Sequence, residues 1–131
     1  MSLFPEPANT SATIGQHAEN TALQFLQSQG MRLLERNYRC KLGEIDLIMQ
    51  HNRELVFVEV RCRSQIRYGD GAESVNFRKQ QKIIKCAEYY LQQHSRYTRI
   101  PCRIDVVSIT TGKKSGGHDP EINWIPNAIQ A

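Results

Sequence analysis

The chain has 131 residues and a net charge of +4, which is enough length for one domain with a hydrophobic core. Its mildly basic balance, with a pI near 9.0, permits a polyanionic partner and does not require one. No apolar run approaches the length of a membrane-spanning helix, so the sequence predicts no membrane segment.

The four cysteines follow no C-x-x-C spacing, which argues against the common zinc motifs. Cys62 and Cys86 fall in predicted regular elements, where a free buried thiol is the usual case. The other two are Cys40 and Cys102. Because the N-terminus also lacks a signal-peptide pattern, we expect a cytoplasmic protein with reduced cysteines.

The N-terminal segment 1–13 contains two prolines and small polar residues, and we expect a flexible arm there, ahead of a single domain over 14–131. A helix is predicted from Ile14 to Gln29, because apolar residues recur at helical spacing and Gly30 follows as a stop signal. Glu19 lies at the margin of the apolar stripe. By itself such a residue is most often an ordinary helix-edge glutamate.

After a strand over 31–39, the stretch 43–63 predicts a hairpin that turns at Asn52 and Arg53. In that register Asp46 faces Glu59, and Arg61 shares their face of the sheet. Two carboxylates about 5 Å apart repel by about 3 kcal/mol at an effective dielectric constant of about 20. A divalent cation such as Mg²⁺ or Mn²⁺ relieves that repulsion, and so does a shared proton. The alternative is a solvated strand end balanced by Arg61.

The two faces of the hairpin differ in character. One is almost wholly apolar and must be covered; it carries Ile45, Leu47, Met49, Val56, Val58, Val60 and Cys62. The other is apolar near the turn and charged further away. We therefore expect a sheet that is buried on both sides, with its charged end opening into a polar cavity.

A turn-rich loop over 64–74 precedes a second helix predicted over 76–95. Gln80 projects into its apolar face and needs a polar partner, for which the charged end of the sheet is the best candidate. That apolar face comprises Phe77, Ile83, Ile84, Ala87 and Leu91. Arg78, Lys82 and Lys85 form a basic stripe on the other side, which is either a solvated face or a track for phosphates.

The last clear strand covers 101–110, and the crossover through the second helix favours its parallel pairing with the second hairpin strand. Asp105 in this strand is interpreted as structural first. A loop is predicted over 111–120, followed by a short apolar segment around Trp124. The order of elements indicates an α/β fold with a mixed sheet flanked by helices.

Asp46, followed after a short hairpin by Glu59-Val60-Arg61, resembles the core motif of the PD-(D/E)XK nuclease superfamily. The segments GQHAENTALQFLQSQG, LERNYRCKLGEIDLI, LVFVEVRCRS, VNFRKQQKIIKCAEYYL and RIDVVSI are together similar to the YraN-like family, over most of 15–109. The resemblance implies a restriction-endonuclease-like α-β-β-β-α-β core, similar to that of archaeal-type Holliday junction resolvases.

The resemblance also implies roles for individual residues. A divalent metal ion would be held by Glu19, Asp46, Glu59 and the carbonyl of Val60, with Gln80 in the same cavity. Arg63, Arg78, Lys79 and Lys82 would contact nucleic acid.

The superfamily usually has lysine at the position of Arg61. Because arginine stays protonated, it can clamp a phosphate and cannot act as a base. Either Arg61 serves as an electrostatic clamp, with Lys79 or Lys82 supplying the missing amine, or the chain binds nucleic acid without cutting it.

The resemblance therefore implies a metal-dependent endonuclease acting on DNA, with branched or junction DNA as a candidate substrate and a homodimer as the expected assembly. A nucleic-acid-binding module that retains the fold but does not cut is the alternative. A weaker third interpretation is a protein-interaction adaptor whose acids are structural.

Overall fold

The computed structural model describes residues 11–64, 76–111 and 121–130, and within them the strands form one five-stranded sheet. The strands lie side by side in chain order: β1 (Arg32–Cys40), β2 (Gly43–His51), β3 (Glu54–Ser64), β4 (Cys102–Thr111) and β5 (Glu121–Ile129). The helices are α1 (Ser11–Ser28) and α2 (Phe77–Gln93), and a 3-10 turn covers Ser95–Tyr97. Neighbouring strands are antiparallel except β3 and β4, which run parallel across the crossover through α2. The predicted mixed sheet and α-β-β-β-α-β core are confirmed.

The predicted register of the hairpin is also confirmed along most of its length. Ile48 pairs with Phe57, and the pairing reaches His51 and Glu54 on either side of the turn. Asn52 in the turn has φ 57°, a left-handed conformation that asparagine adopts more readily than most residues. The turn chemistry and the hydrophobic pattern therefore specify the same register.

Both faces of the sheet are buried, each beneath one helix. Helix α1 covers one face, with Ala18, Ala22 and Leu26 packed against Leu47, Met49, Val56 and Val58. Helix α2 covers the other, with Ile83, Ile84, Ala87 and Tyr90 packed against Ile48, Leu55, Phe57 and Ile104. The hairpin strands are apolar on both faces because they lie in the middle layer of three.

Three predictions about burial are wrong. Ile45 packs in the α2 cluster with Ile48, not on the α1 face with Leu47, because regular alternation breaks between these residues. Cys62 is exposed, since it lies beyond the last β2–β3 pair and is paired only with β4. Phe77 is 74% exposed, because it stands in the first turn of α2, ahead of the buried residues of that helix.

Helix α1 covers Ser11–Ser28, so it includes residues 11–13, ahead of the predicted helix start at Ile14. Serine, alanine and threonine are all tolerated in a first helical turn, and the apolar stripe that guided the prediction starts later. Residues 1–10 lie outside the described residues. So do the predicted loops, apart from Ser64 and Thr111, which end β3 and β4.

The C-terminal apolar segment forms a full edge strand, β5, paired antiparallel with β4. Pro126 is compatible with an edge strand, where one side needs no ladder partner. Asp105 of β4 is completely buried and accepts hydrogen bonds from Arg103 Nε at 3.0 Å, Trp124 Nε1 at 2.9 Å and the Asn127 amide at 2.8 Å. These contacts tie β5 to the sheet and support the structural interpretation of Asp105.

Across the described residues, neither helix combines the length and the apolar character needed to cross a membrane.

Candidate metal centre

The two hairpin strands separate at the charged end of the sheet. The last described β2–β3 pair is Leu47 with Val58, so the predicted direct pairing of Asp46 with Glu59 does not form. Instead, the backbone N–H of Val60 donates to Asp46 Oδ2 at 2.8 Å. A side-chain carboxylate thus takes the place of a ladder acceptor. The consequence is a gap between β2 and β3, with an acid on each side.

The carbonyl of Val60 faces the same gap. In a β-strand the N–H and C=O of one residue point towards the same neighbouring strand. Since the Val60 N–H points at Asp46, its C=O also points to the β2 side, past the last β2–β3 pair. This geometry agrees with the predicted use of the Val60 carbonyl as an oxygen ligand.

The carboxyl of Asp46 is poorly stabilised as an anion. Burial and, after it, the charge of Glu59 raise its pKa to about 8; the charges of Glu19 and Glu44 contribute to this rise, and the hydrogen bond from the Val60 N–H opposes it. At neutral pH the group therefore binds a proton that an exposed aspartate would release. A proton and a metal ion compete for the same carboxylate.

The charge of Glu59 is compensated by an ion pair. Glu59 is only 5% exposed, and its Oε2 lies 2.7 Å from Nζ of Lys79. Lys79 stands in the first turn of α2, where its backbone N–H donates to the capping side chain of Asn76 at 2.8 Å. The sequence assigned Lys79 first to nucleic acid, and the structure places its amine on an acid of the site.

Glu19 faces this region from α1, but its hydrogen-bonding partners are on β1. Arg36 Nη2 lies 3.5 Å from Glu19 Oε1, and the side-chain amide of Asn37, in the orientation that satisfies both its atoms, donates to Glu19 at 3.2 and 3.3 Å. Within the described ranges, no three His, Cys, Asp or Glu side chains converge closely enough to hold a metal ion. Glu19 acts on Asp46 through its charge, and its role as a direct ligand stays a prediction.

Arg61 and Arg63 continue β3 past Glu59, and both are half-buried. Burial lowers the pKa of Arg61, the charge of Arg63 lowers it further, and the charge of Glu59 raises it. Arg61 therefore lies within electrostatic reach of the acidic pair. Gln80, one residue after Lys79, is half-buried as well. Its predicted place in the cavity stays a prediction.

The available donors fit a hard divalent cation. Mg²⁺ is typically held by one or two carboxylates and retains several waters, so it does not require a complete set of protein ligands. Asp46, Glu59 and the Val60 carbonyl offer oxygen donors on both sides of the gap. Burial and the charge of Glu59 raise the pKa of Asp46, so a cation at this position would stabilise its carboxylate.

A basic stripe runs along the exposed side of α2. It comprises Arg78, Lys82, Lys85 and Tyr89, all exposed and spaced i, i+4, i+7 and i+11. These positions fall in one row on a helix and span about 16 Å. Sequence reasoning identified the three basic residues and missed Tyr89, although the helical spacing alone places the tyrosine in the same row.

The matches with known proteins cover the part of the chain that carries the candidate site residues. The family model described as "Uncharacterised protein family UPF0102" matches residues 18–109. A UPF0102 protein of Stutzerimonas stutzeri is 48% identical over 121 residues, covering 92% of this chain and 98% of its own. One from Janthinobacterium is 45% identical and covers 98% and 96%. One from Saccharophagus degradans is 51% identical and covers 88% and 91%.

We expect Asp46→Asn to stabilise the metal-free protein. Between the ordinary pKa of 3.8 and the folded value of about 8, the folded state binds more protons, so wild-type stability falls as pH rises through this window. Asparagine retains an oxygen for the Val60 N–H and carries no charge. Its advantage in free energy of unfolding should be near zero around pH 4 and reach about 1–3 kcal/mol by pH 8.

Urea denaturation in the presence of a chelator, from acid to mildly alkaline pH, measures this difference. Glu88→Gln is the matched control, because it removes an exposed carboxylate from α2 whose charge is not among those that raise the pKa of Asp46. A difference between wild type and Asp46→Asn that does not change with pH would contradict the electrostatic account.

Proposed function

For this chain, which belongs to the UPF0102 family, we propose metal-dependent hydrolysis of phosphodiester bonds in DNA. UPF0102 is the YraN-like family that the sequence resembles. The observation that carries the proposal is the acidic gap between β2 and β3. Glu59, which is buried, and Asp46, which is partly buried, flank this gap. Burial and the charge of Glu59 raise the pKa of Asp46 to about 8. Burying two like charges is costly, and acids with such perturbed pKa values cluster at functional sites.

Each residue has a defined task in this proposal. Asp46, Glu59 and the Val60 carbonyl would hold Mg²⁺ or Mn²⁺. When bound, such an ion would polarise a phosphate oxygen as a Lewis acid and lower the pKa of the attacking water. Arg61 remains protonated and stabilises charge on the phosphate.

Lys79 takes the part of the amine that Arg61 lacks. Its Nζ lies on Glu59 Oε2 at 2.7 Å, so an ammonium already stands at the acidic pair. If Glu59 held a cation, this contact would weaken, and Nζ would be available to stabilise negative charge on the phosphate. The contact thus supports the use of α2, and not β3, as the source of the lysine.

The basic stripe on α2 supports DNA as the polyanion. It begins at Arg78, next to Lys79, and continues along the exposed side of the helix through Lys82 and Lys85. Cationic side chains in such a row neutralise successive phosphates. Duplex or branched DNA has two strands to cut, so the homodimer expected from the sequence remains part of the proposal.

A nucleic-acid-binding module that does not cut is the second candidate, and the same Lys79 contact favours it. An ammonium on Glu59 and a proton on Asp46 neutralise both acids without a metal ion. With arginine in place of the usual lysine, such a site can be stable and inactive. The two candidates differ in metal affinity and in turnover.

Cleavage assays separate these candidates. Wild type should cut branched, flapped or single-stranded DNA with Mg²⁺ or Mn²⁺, and Asp46→Asn and Glu59→Gln should each lose about 100-fold or more in rate. Glu88→Gln, which removes an exposed acid on α2 that does not act on Asp46, should retain wild-type activity. Equal rates for wild type and Asp46→Asn would end the hydrolase proposal. Binding of DNA without Mn²⁺ affinity or cleavage would establish the second candidate.

Binding through the stripe has its own test. Lys82→Gln should weaken DNA binding uniformly across sequences and reduce the slope of log K against log salt by about 1. Arg53→Gln is the matched control, since Arg53 is equally exposed but lies at the hairpin turn, at the opposite end of the β2–β3 pairing from Asp46. Salt slopes measured by fluorescence anisotropy that fall equally in both variants would contradict a specific role for the stripe.

A further inference from the structure

Two cysteines distant in sequence meet between the sheet and α2. Cys40 ends β1 and Cys86 lies on α2, and their Sγ atoms are 3.2 Å apart. Cys86 is completely buried and Cys40 is half-buried. The two remaining cysteines, Cys62 and Cys102, are exposed and free.

The two thiols are chemically unequal. Burial raises the pKa of Cys40, but the hydrogen bond from Cys86 and those from the backbone N–H groups of Leu42 and Gly43 outweigh it, so the net pKa is lowered. The Leu42 N–H lies 3.3 Å from Cys40 Sγ. Burial, together with the contact to Cys40, raises the pKa of Cys86 to about 12. Cys40 is therefore the more acidic thiol of the pair, and Cys86 holds its proton more strongly.

Metal binding does not account for the pair. Over the described part of the chain, no third His, Cys, Asp or Glu side chain joins two others in a metal-binding group. The contact is a hydrogen bond between two thiols, and it holds the two sulfurs side by side. An oxidant could therefore join them with little movement of the sulfur atoms.

We propose that Cys40 and Cys86 are a reversible oxidation site, which closes to an intramolecular disulfide when a peroxide is the oxidant. The Cys40 thiolate attacks one peroxide oxygen, the O–O bond breaks, and the departing hydroxide takes a proton to leave as water. The resulting sulfenic acid is attacked by the Cys86 sulfur. The S–S bond forms as the S–O bond breaks, and the Cys86 proton leaves with that hydroxyl as a second water. Two thiols are oxidised and one peroxide is reduced.

The structure needs little movement to reach this product. A disulfide bond is about 2.05 Å long, so the sulfurs must approach by roughly 1.1 Å. The cross-link would join two positions 46 residues apart and fix the end of β1 to α2. Cys86 follows Lys79 by two helical turns on the same side of α2, so oxidation would also fix the helix that carries the Lys79–Glu59 contact.

The test uses the full chain, reduced and then treated with hydrogen peroxide. Free thiols should fall from four to two, the intact monomer should lose the mass of two hydrogen atoms, and peptide mapping should link Cys40 to Cys86. The melting temperature should rise by about 5–15 °C and return on reduction, because a cross-link closing a long loop restricts the unfolded chain.

Variants make the result decisive. The double variant Cys62→Ser/Cys102→Ser changes only exposed thiols, so it should lose both remaining thiols to the same disulfide. In the same background, Cys86→Ala should instead stop at an oxidised Cys40, and Cys40→Ser should leave the buried Cys86 as a free thiol. Persistence of both thiols in the folded double variant, or linkage through Cys62 or Cys102 in the wild type, would overturn the proposal. Circular dichroism of the double variant verifies its fold independently of the buried positions.

Discussion

The hydrogen bond from the Val60 N–H to the carboxylate of Asp46 determines the geometry at the charged end of the sheet. A hairpin of this register would continue its ladder past Leu47 and Val58 if both strands were apolar. A carboxylate on β2 accepts the next amide instead, and the strands separate. The same event creates the gap, turns the Val60 carbonyl towards it and buries an acid that has little solvent to stabilise its charge.

Asp46 and Glu59 are neutralised in two different ways when no metal ion is bound. Asp46 retains a proton, because burial and the charge of Glu59 raise its pKa to about 8. Glu59 retains the ammonium of Lys79 at 2.7 Å. A divalent cation would replace both, so metal binding, proton release and the freeing of Lys79 are parts of one equilibrium. In the proposed hydrolase, this coupling would let α2 supply the amine that a site with arginine in the usual place of lysine lacks.

Much of this arrangement follows from the sequence. The turn at Asn52 and the alternation of Val56, Val58 and their neighbours specify the register, and the register puts Asp46 and Glu59 close together. The sequence does not show where the pairing of two strands ends. Strict alternation places Ile45 on the same face of the sheet as Leu47. In the structure, the pairing of β2 with β3 ends before Asp46, and Ile45 packs in the α2 core.

Helix α2 illustrates the same limit. The apolar periodicity finds its buried side but misplaces Phe77, since periodicity does not reveal where a helix passes beyond the sheet it covers. The sequence places Lys79 among the nucleic-acid contacts and, with Lys82, among the candidates for the missing amine. Only the three-dimensional packing of α2 on the hairpin brings it to Glu59. Long-range pairing, not local propensity, decides each of these cases.

Calorimetric titration of Mn²⁺ into the reduced wild-type protein, repeated in buffers of different ionisation enthalpy, tests the central claim most directly. At about pH 6.5 the account predicts saturable binding with release of about one proton per ion, and a release that declines towards zero well above pH 8, where Asp46 is already ionised. Failure to bind Mn²⁺, or binding without proton release at the lower pH, would contradict it.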